Sequence, residues 1–489
     1  MKIAFISSEV APFSKTGGLA DVAGALPKEL VKLNNEVVLF TPLYGSIDES
    51  KLMIDKEKPA AEISINILDK SEVAKIYKSH LPCSSVAVYF IDSPRYFHRD
   101  SYYTDDHDED ERFIFFSKAV IETLLKLNRR PDIIHCNDWH TGLIPVLVKE
   151  NYKEENIFKK TAFVFTVHNI AFQGSFGKDS LIKAGLKAEL YYSGSGVEFF
   201  DTVNFLKAGI SYSEVINTVS KTYAEEILTK EFGAGMENVL TERKDDLYGI
   251  INGVDYAEWS PEGDKFIPTN YSLERLADKE KNKKHLVYKF NLPYRKDVPL
   301  IGFVARLTDQ KGFDIITEAL DDFLKMDAQW IFLGSGDPVN ENLLKETAQN
   351  YPEKFSAFVG FNNRFAHLIE AGADIFLMPS KYEPCGLNQI YSLKYGTPPI
   401  VRRTGGLADT VSDWNELFSK GDQSGTGFVF EEYSAASLIN AVKQAVSLFK
   451  EKERWRQIQK NGMQKNYSWK KSAEKYVDLY ITALNKLKK

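Results

Sequence analysis

The chain has 489 residues, too many for one ordinary core, so two domains are expected. Hydrophobic residues make up 43% and charged residues 27%, the balance of a globular protein, and a net charge of −6 argues against a general nucleic-acid binder. Any anionic substrate must then be held by a local basic site, not by the overall field. Cys83, Cys136 and Cys385 are too few and too widely spaced for a disulfide framework and suit a reducing compartment. No apolar run approaches the ~20 residues of a membrane span. The opening MKIAFISSEV reads as a first strand and not a leader. The expectation is a cytoplasmic protein with neither membrane nor nucleic acid as partner.

In chain order, Lys2–Ser7 is a strand, and Leu19, Val22, Ala23, Leu26, Leu30 and Leu33 fall at helical spacing from Gly17 onward, with Pro27 expected to kink that helix. Val37–Thr41 completes a βαβ unit. The loop SKTGGL between strand and helix has two readings: a phosphate cradle using Lys15 and the N–H groups around Gly17 and Gly18, or a glycine-assisted turn. It is not a Walker loop, because glycines and lysine stand in the wrong order. Further strands are expected at Val86–Ile91, Asp132–Cys136, Ala162–Val167 and Val215–Val219.

Tyr96–Glu111 is rich in acids and aromatics; a solvated acidic loop is favoured over a metal site of Asp105, Asp106, Asp108 and Asp110. IIHCNDWH (133–140) also tempts a metal reading, but its spacing fits no usual zinc pattern, and strand alternation separates His135 from Cys136. Asp138 there, and His168 with Asn169 in FTVHNIAFQG, stand where strands end, the binding edge of a parallel sheet. The turn-rich stretch around Gly249–Val254 marks a domain boundary, and Trp469–Leu487 is a charged amphipathic helix.

The second half repeats the rhythm of short apolar runs, such as Gly302–Ala305 and Asp374–Met378, each feeding a helix. Arg306 and Lys311 follow one such run and can hold phosphate oxygens. Glu383 follows another, with Lys381 its only basic neighbour in sequence, and the N–H groups of Cys385, Gly386 and Leu387 come next. Glu383 suits sugar hydroxyls or a helix-capping role; Cys385 reads as a small packing residue in preference to a nucleophile. TGGLAD occurs twice, at Thr16–Asp21 and Thr404–Asp409, suggesting one glycine-opened ligand site in each domain.

SSEVAPFSKTGGLADV, NDWHTGL, VHNIAFQG, INGVD, RLTDQKG, PSKYEPCGLNQ and RRTGGLADTV, in this order over essentially the whole chain, resemble the bacterial and plant glycogen (starch) synthases, glycosyltransferase family 5. The resemblance implies an α/β chain of two Rossmann-like domains facing across a cleft, the GT-B fold. Residues 1–249 would form the acceptor-side domain, 250–466 the nucleotide-sugar domain, and 467–489 a helix crossing back to the first. It implies retaining transfer of glucose from ADP-glucose to the non-reducing 4-OH of glycogen or another α-1,4-glucan, with no cofactor and no metal. By matching motif positions, Lys15, Gly17 and Gly18 would hold the donor phosphates, and Arg306 and Lys311 would neutralise the leaving group. Asp138, Asn169 and Asn252 would line the donor glucose, with His168 at the reacting carbon. Glu383 with Cys385, Gly386 and Leu387 would grip sugar hydroxyls, Thr404 and Gly405 would complete the substrate site, and Phe361 would stack on adenine where many relatives have tyrosine. Related retaining transferases carry a second glutamate where this chain has Tyr391, which favours the synthases.

Overall fold

The computed structural model describes residues 1–48, 50, 52 and 54–488. The chain forms two units, Met1–Gly253 with Trp469–Lys489, and Val254–Ser468. The first passage thus falls inside the turn-rich stretch singled out above, a few residues beyond 249.

The first unit carries β1 (Lys2–Ile6), β2 (Glu36–Pro42), β3 (Ala61–Ile67), β4 (Lys70–His80), β5 (Ala87–Asp92), β6 (Ile133–Asn137), β7 (Ala162–Val167), β8 (Ser175–Phe176), β9 (Glu198–Phe199), β10 (Thr202–Asn204), β11 (Val215–Thr218) and β12 (Leu247–Gly249). Nine of them form one sheet in the order β12-β11-β7-β6-β1-β2-β5-β4-β3, parallel from β12 to β5. Strands β6 and β7 are buried throughout, which is why they read as unbroken apolar runs. The antiparallel hairpin β3–β4 was not anticipated. Its signal is the alternation AEISINI, half in and half out of the core, which is weaker than an apolar run. Strands β8–β10 make a small separate sheet.

The helix over Gly18–Lys32 runs through the buried Pro27 as one element. The helix Trp469–Leu487 packs on Gly18–Lys32 and on β7. A polar relay ties it to the sheet. Tyr480 OH lies 2.8 Å from His135 Nδ1, His135 Nε2 lies 2.6 Å from Thr166 Oγ1, Thr166 donates to Asn217 Oδ1 (2.6 Å), and Asn217 Nδ2 donates to Tyr476 OH (3.2 Å). Thr166 has one proton and gives it to Asn217, so His135 must donate through Nε2 and accept from Tyr480 through Nδ1. Burial lowers the His135 pKa to about 3, which keeps that neutral tautomer in place.

The second unit carries β13 (Leu300–Val304), β14 (Gln329–Gly334), β15 (Phe355–Val359), β16 (Ile375–Met378), β17 (Pro399–Arg402) and β18 (Phe428–Phe430), all parallel, in the order β15-β14-β13-β16-β17-β18. Apolar clusters cover both faces of this sheet. Among the described residues, no helix is long and apolar enough to cross a membrane.

Candidate functional site

Both sheets change direction once. In the first, the chain proceeds from β1 outward through β2 on one side, then restarts at β6 and proceeds through β7, β11 and β12 on the other. In the second it proceeds from β13 through β14 and β15, then restarts at β16. At such a switch point the loops leaving two neighbouring strands diverge and open a crevice at the carboxyl ends. The residues singled out from the sequence leave these strands: Lys15 to Gly18 after β1, Asp138 after β6, His168 and Asn169 after β7, Arg306 and Lys311 after β13, and Glu383 after β16.

In the first unit, Asp138 has φ 56° and ψ 177°, a region that residues with a Cβ enter at a cost of about 1–3 kcal/mol. That strain turns the carboxylate so that Oδ1 accepts the His168 N–H at 2.7 Å. Burial raises the Asp138 pKa to about 7, opposed by the N–H groups of His168 and Asn169 and reinforced by the charge of Glu9. His168 Nε2 lies 2.9 Å from Asn137 Oδ1, an acceptor, so Nε2 carries the proton and Nδ1 is left to accept. Burial lowers the His168 pKa to about 3, and the ring stays neutral at working pH. Asn169 Oδ1 accepts the Ala171 N–H at 3.1 Å. Asn252 is 4% exposed, and among the described residues nothing hydrogen-bonds its Oδ1. An unpaired buried carbonyl of that kind costs roughly 1–3 kcal/mol, so its partner is expected to come from a ligand.

Glu9 was missed by the sequence reading. Its buried carboxylate accepts from the Thr16 backbone N–H, from Thr16 Oγ1 at 2.6 Å, from the Gly17 N–H at 3.3 Å and from Tyr103 OH at 2.6 Å. The N–H groups of Thr16 and Gly17 are therefore engaged by the protein's own anion. That narrows the proposed cradle to the helix-opening N–H groups from Gly18 onward and to Lys15, which reaches Asp21 at 2.6 Å from a half-exposed position. The signal was an acid three residues past a strand end, just ahead of a donor-rich Ser-Lys-Thr-Gly-Gly loop.

The repeated TGGLAD does not have one meaning. Among the described residues, no atom lies within 4 Å of where a Cβ would stand on Gly17 or Gly18, and neither has positive φ. At Gly405 (φ 43°) a Cβ would fall 2.0 Å from Glu383 O, and at Gly406 2.0 Å from Cys385 O. The Gly406 N–H donates to Glu383 O at 3.0 Å. The second copy, with Thr404 buried at the head of Gly405–Thr410, thus clamps the Glu383 loop by close backbone approach. Gly18→Ala is accordingly expected to keep or slightly raise the unfolding temperature, while affinity for a phosphate-bearing ligand falls roughly tenfold, about 1.4 kcal/mol of lost binding. Gly405→Ala is expected to unfold at clearly lower temperature; equal Tm values for the two variants would refute this division of roles.

In the second unit, Lys311 Nζ meets Glu383 Oε2 at 2.6 Å, and Ser380 Oγ donates to the same oxygen at 3.0 Å. The pair bridges the loops after β13 and β16, directly over the switch point. Beside it lies a cavity of about 110 Å³ lined by Val304, Ala305, Lys311, Ser380, Glu383 and Gly386. Lys381, the sequence neighbour of Glu383, lies over the Tyr433 ring, 5.5 Å from its centroid. Arg306 is exposed, with Nη2 3.4 Å from Gln310 Oε1. Cys385, Gly386 and Leu387 precede the helix Asn388–Lys394; Cys385 is buried, as expected of a packing residue. Phe361 is 90% exposed just beyond β15. Tyr391 stacks on Trp259 at 4.0 Å, and His367 covers the other face of that indole at 3.7 Å.

The tempting metal clusters resolve otherwise. Arg99 pairs with Asp106 (2.8 Å) and Asp108 (2.7 Å), and Asp110 pairs with Lys183 (2.9 Å). His135 belongs to the relay described above. Among the described residues, no group of three or more His, Cys, Asp or Glu is placed to hold a metal ion.

Residues 2–242 match the family model of the starch synthase catalytic domain, and residues 286–462 match that of glycosyl transferases group 1. A glycogen synthase of Thermosipho africanus is 46% identical over 99% of this chain and 100% of its own. One of Desulforudis audaxviator is 44% identical over 100% and 97%. The chain belongs to the glycogen (starch) synthase family. It is a glycosyltransferase with a GT-B-like fold. The catalytic domain of starch synthase IV from Arabidopsis thaliana, solved with ADP and acarbose, superposes on this synthase with TM-score 0.90 at 30% identity, covering 99% of both chains. Sucrose-phosphate synthase from Thermosynechococcus elongatus, at TM-score 0.60 and 18% identity over 98% of both, shares the fold.

Proposed function

We propose that this glycogen synthase transfers glucose from ADP-glucose to the non-reducing 4-OH of an α-1,4-glucan, with retention at the anomeric carbon, and releases ADP. The observation that carries the reading is the Lys311–Glu383 pair over the switch point, a cation and a sugar-binding anion in one place. The ADP and acarbose of the Arabidopsis relative support the choice of nucleotide and of a glucan partner.

The roles follow from charge and geometry. Lys15 and the helix opening at Gly18 receive phosphate oxygens. Arg306 and Lys311 stabilise the charge that grows on the departing diphosphate, each by charge-assisted hydrogen bonds of roughly 1.5–3 kcal/mol. Asp138, Asn169, Asn252 and Glu383 accept or donate to glucose hydroxyls, with the backbone of Cys385, Gly386 and Leu387, Thr404 and Gly405 shaping the sugar's surroundings. Phe361, exposed and without a hydroxyl, offers a stacking face to the base. His168, held neutral, orients the sugar near its anomeric carbon. The sequence offers Glu383 no clear second carboxylate for double displacement, so retention is assigned to a same-face exchange. The C1–O bond to ADP breaks, the acceptor O4–C1 bond forms, and the 4-OH proton passes to the departing phosphate oxygen. The reaction needs no cofactor, and no metal takes part in this scheme.

The test is nucleoside diphosphate release from ADP-glucose and from UDP-glucose, each with and without glycogen. Glycogen-dependent ADP release with glucose incorporated is the expected result. Preference for UDP-glucose would overturn the donor, and silence with both would overturn the catalytic reading.

A further inference from the structure

One side chain that no role above uses ties the helix Asn388–Lys394 to the loop before it. Gln389 is fully buried. Its Nε2 donates to Cys385 O at 3.0 Å and to Gly386 O at 3.1 Å, and lies 3.2 Å from Thr410 Oγ1. Thr410 Oγ1 gives its own proton to Gly406 O at 2.6 Å, so toward Gln389 it accepts. Three acceptors on one side fix the amide with its NH2 group toward them; the flipped amide would set an oxygen against two carbonyls. Among the described residues no donor reaches the buried Gln389 Oε1. That unpaired oxygen detracts from stability, and what the side chain secures by sitting there is a hold on two successive carbonyls.

The hold decides where the next N–H groups point. Both peptides are trans, and in a trans peptide the C=O and the N–H point opposite ways. Drawing Cys385 O toward Gln389 therefore turns the Gly386 N–H away from it, and drawing Gly386 O turns the Leu387 N–H away. Gly386, at φ 69°, lets the loop pass this closely: a Cβ there would fall 2.5 Å from Gln389 Oε1 and 3.0 Å from Glu383 Cγ. Gly386 and Leu387 line the cavity beside Lys311 and Glu383, whereas Cys385 and Gln389 do not. Among the described residues neither the Gly386 nor the Leu387 N–H has a hydrogen-bond partner. Two open donors beside a buried carboxylate suit sugar hydroxyls, which accept from an N–H and donate to a carboxylate at once.

We propose that Gln389 is a positioning residue for glucosyl transfer. By holding the carbonyls of Cys385 and Gly386 it aims the N–H groups of Gly386 and Leu387 at hydroxyl oxygens of the donor sugar seated against Glu383. Gln389 itself touches no substrate. The proposal rests on the nucleotide-sugar reading above and adds to it what keeps that surface in place before the sugar arrives. A glutamate at 389 would keep the shape but offer oxygen to both carbonyls, so the two peptides would turn and their N–H groups would leave the cavity.

The experiment compares Gln389→Met and Gln389→Glu with Thr410→Val, all in the full chain. The Gln389 variants keep the length of the side chain and lose its donor. Thr410→Val disturbs the same packing but leaves both carbonyls held, so it serves as the control. Calorimetric titration with ADP-glucose and UDP-glucose, each against its free nucleoside diphosphate, reads the sugar separately from the nucleotide. Affinity for the preferred nucleotide sugar is expected to fall about tenfold in both Gln389 variants, with affinity for the free diphosphate within about twofold of wild type. The kcat with glycogen should fall about 10²-fold, as when a preorganised donor is lost. Thr410→Val should keep wild-type values throughout. In amide spectra of the wild type, the Gly386 and Leu387 resonances should move with the nucleotide sugar and not with the diphosphate. Equal losses for diphosphate and nucleotide sugar overturn the proposal, and so does a Thr410→Val variant that loses as much as Gln389→Met. If the Gln389 variants fail to fold, wild-type amides that ignore both sugars still overturn it. Binding needs no turnover, so the two readings separate. Amides that answer to the sugar in a chain that transfers no glucose would support the role of Gln389 and sink the catalytic reading. A chain that transfers glucose while those amides ignore the sugar does the reverse.

Discussion

Lys311→Ala is expected to lower kcat by about 10²–10³-fold, the range found when one preorganised donor to developing negative charge is removed. Two losses combine. The departing diphosphate loses a cation aimed at it, and Glu383, whose side chain is 7% exposed, loses the ammonium 2.6 Å away and keeps only the Ser380 hydroxyl. A buried carboxylate without its cation is costly, so the Glu383 loop is expected to shift. Glu383→Gln and the double variant separate the two losses. If the pair works as a unit, the double variant costs little more than the worse single one; additive losses would mean that each acts alone. A kcat for Lys311→Ala within about threefold of wild type would sink the leaving-group role.

The second large effect is set by pH. The Asp138 carboxyl is protonated below about 7 in the folded chain, because burial outweighs the N–H groups that favour its charge. A sugar hydroxyl that must be accepted needs the ionised form, so kcat/KM is expected to rise with pH and to level off above about 7. His168, lowered to about 3 by its own burial, takes no part in that limb. Asp138→Asn keeps an oxygen for the His168 N–H; it should flatten the limb and lower kcat on the order of 10²-fold. Stability runs the other way. Between the ordinary Asp value of 3.8 and about 7 the folded chain binds a proton that the unfolded chain has released. Unfolding free energy from this group therefore falls as pH rises through that window. Asp138→Asn, neutral throughout, should match wild type in stability near pH 4 and exceed it near pH 8, measured by denaturant unfolding. A variant no more stable at pH 8 would remove the argument that this carboxylate is held under electrostatic stress.

Much of the fold was legible because parallel strands buried on both faces write themselves as apolar runs. Strands β1, β6, β7 and β13 stand close to where those runs place them. The hairpin β3–β4 was not, since half of its side chains face solvent and its alternation dilutes the signal. Residues at strand ends were legible for the same reason as the strands. What closes around them was not. Glu383 finds its cation 72 residues upstream, and His135 finds the hydroxyl that donates to it 345 residues downstream, separations at which sequence proximity carries no information. The two TGGLAD copies show the opposite hazard: identical letters, one copy open to space, the other wedged against the carbonyls of Glu383 and Cys385.

The relay from Tyr480 to His135, and on to Tyr476, also constrains how the protein can be made. Synthesis proceeds from the amino end, so the nine-stranded sheet emerges from the ribosome more than two hundred residues before the helix that satisfies it. During that interval His135 and Asn217 lack their tyrosine partners, and the apolar face that will receive Tyr476, Leu479 and Tyr480 stands uncovered. The first unit is thus the first to be translated and the last to be finished. A chain halted anywhere short of Trp469 leaves the ribosome with a sticky, polar-deficient surface for chaperones or proteases to find.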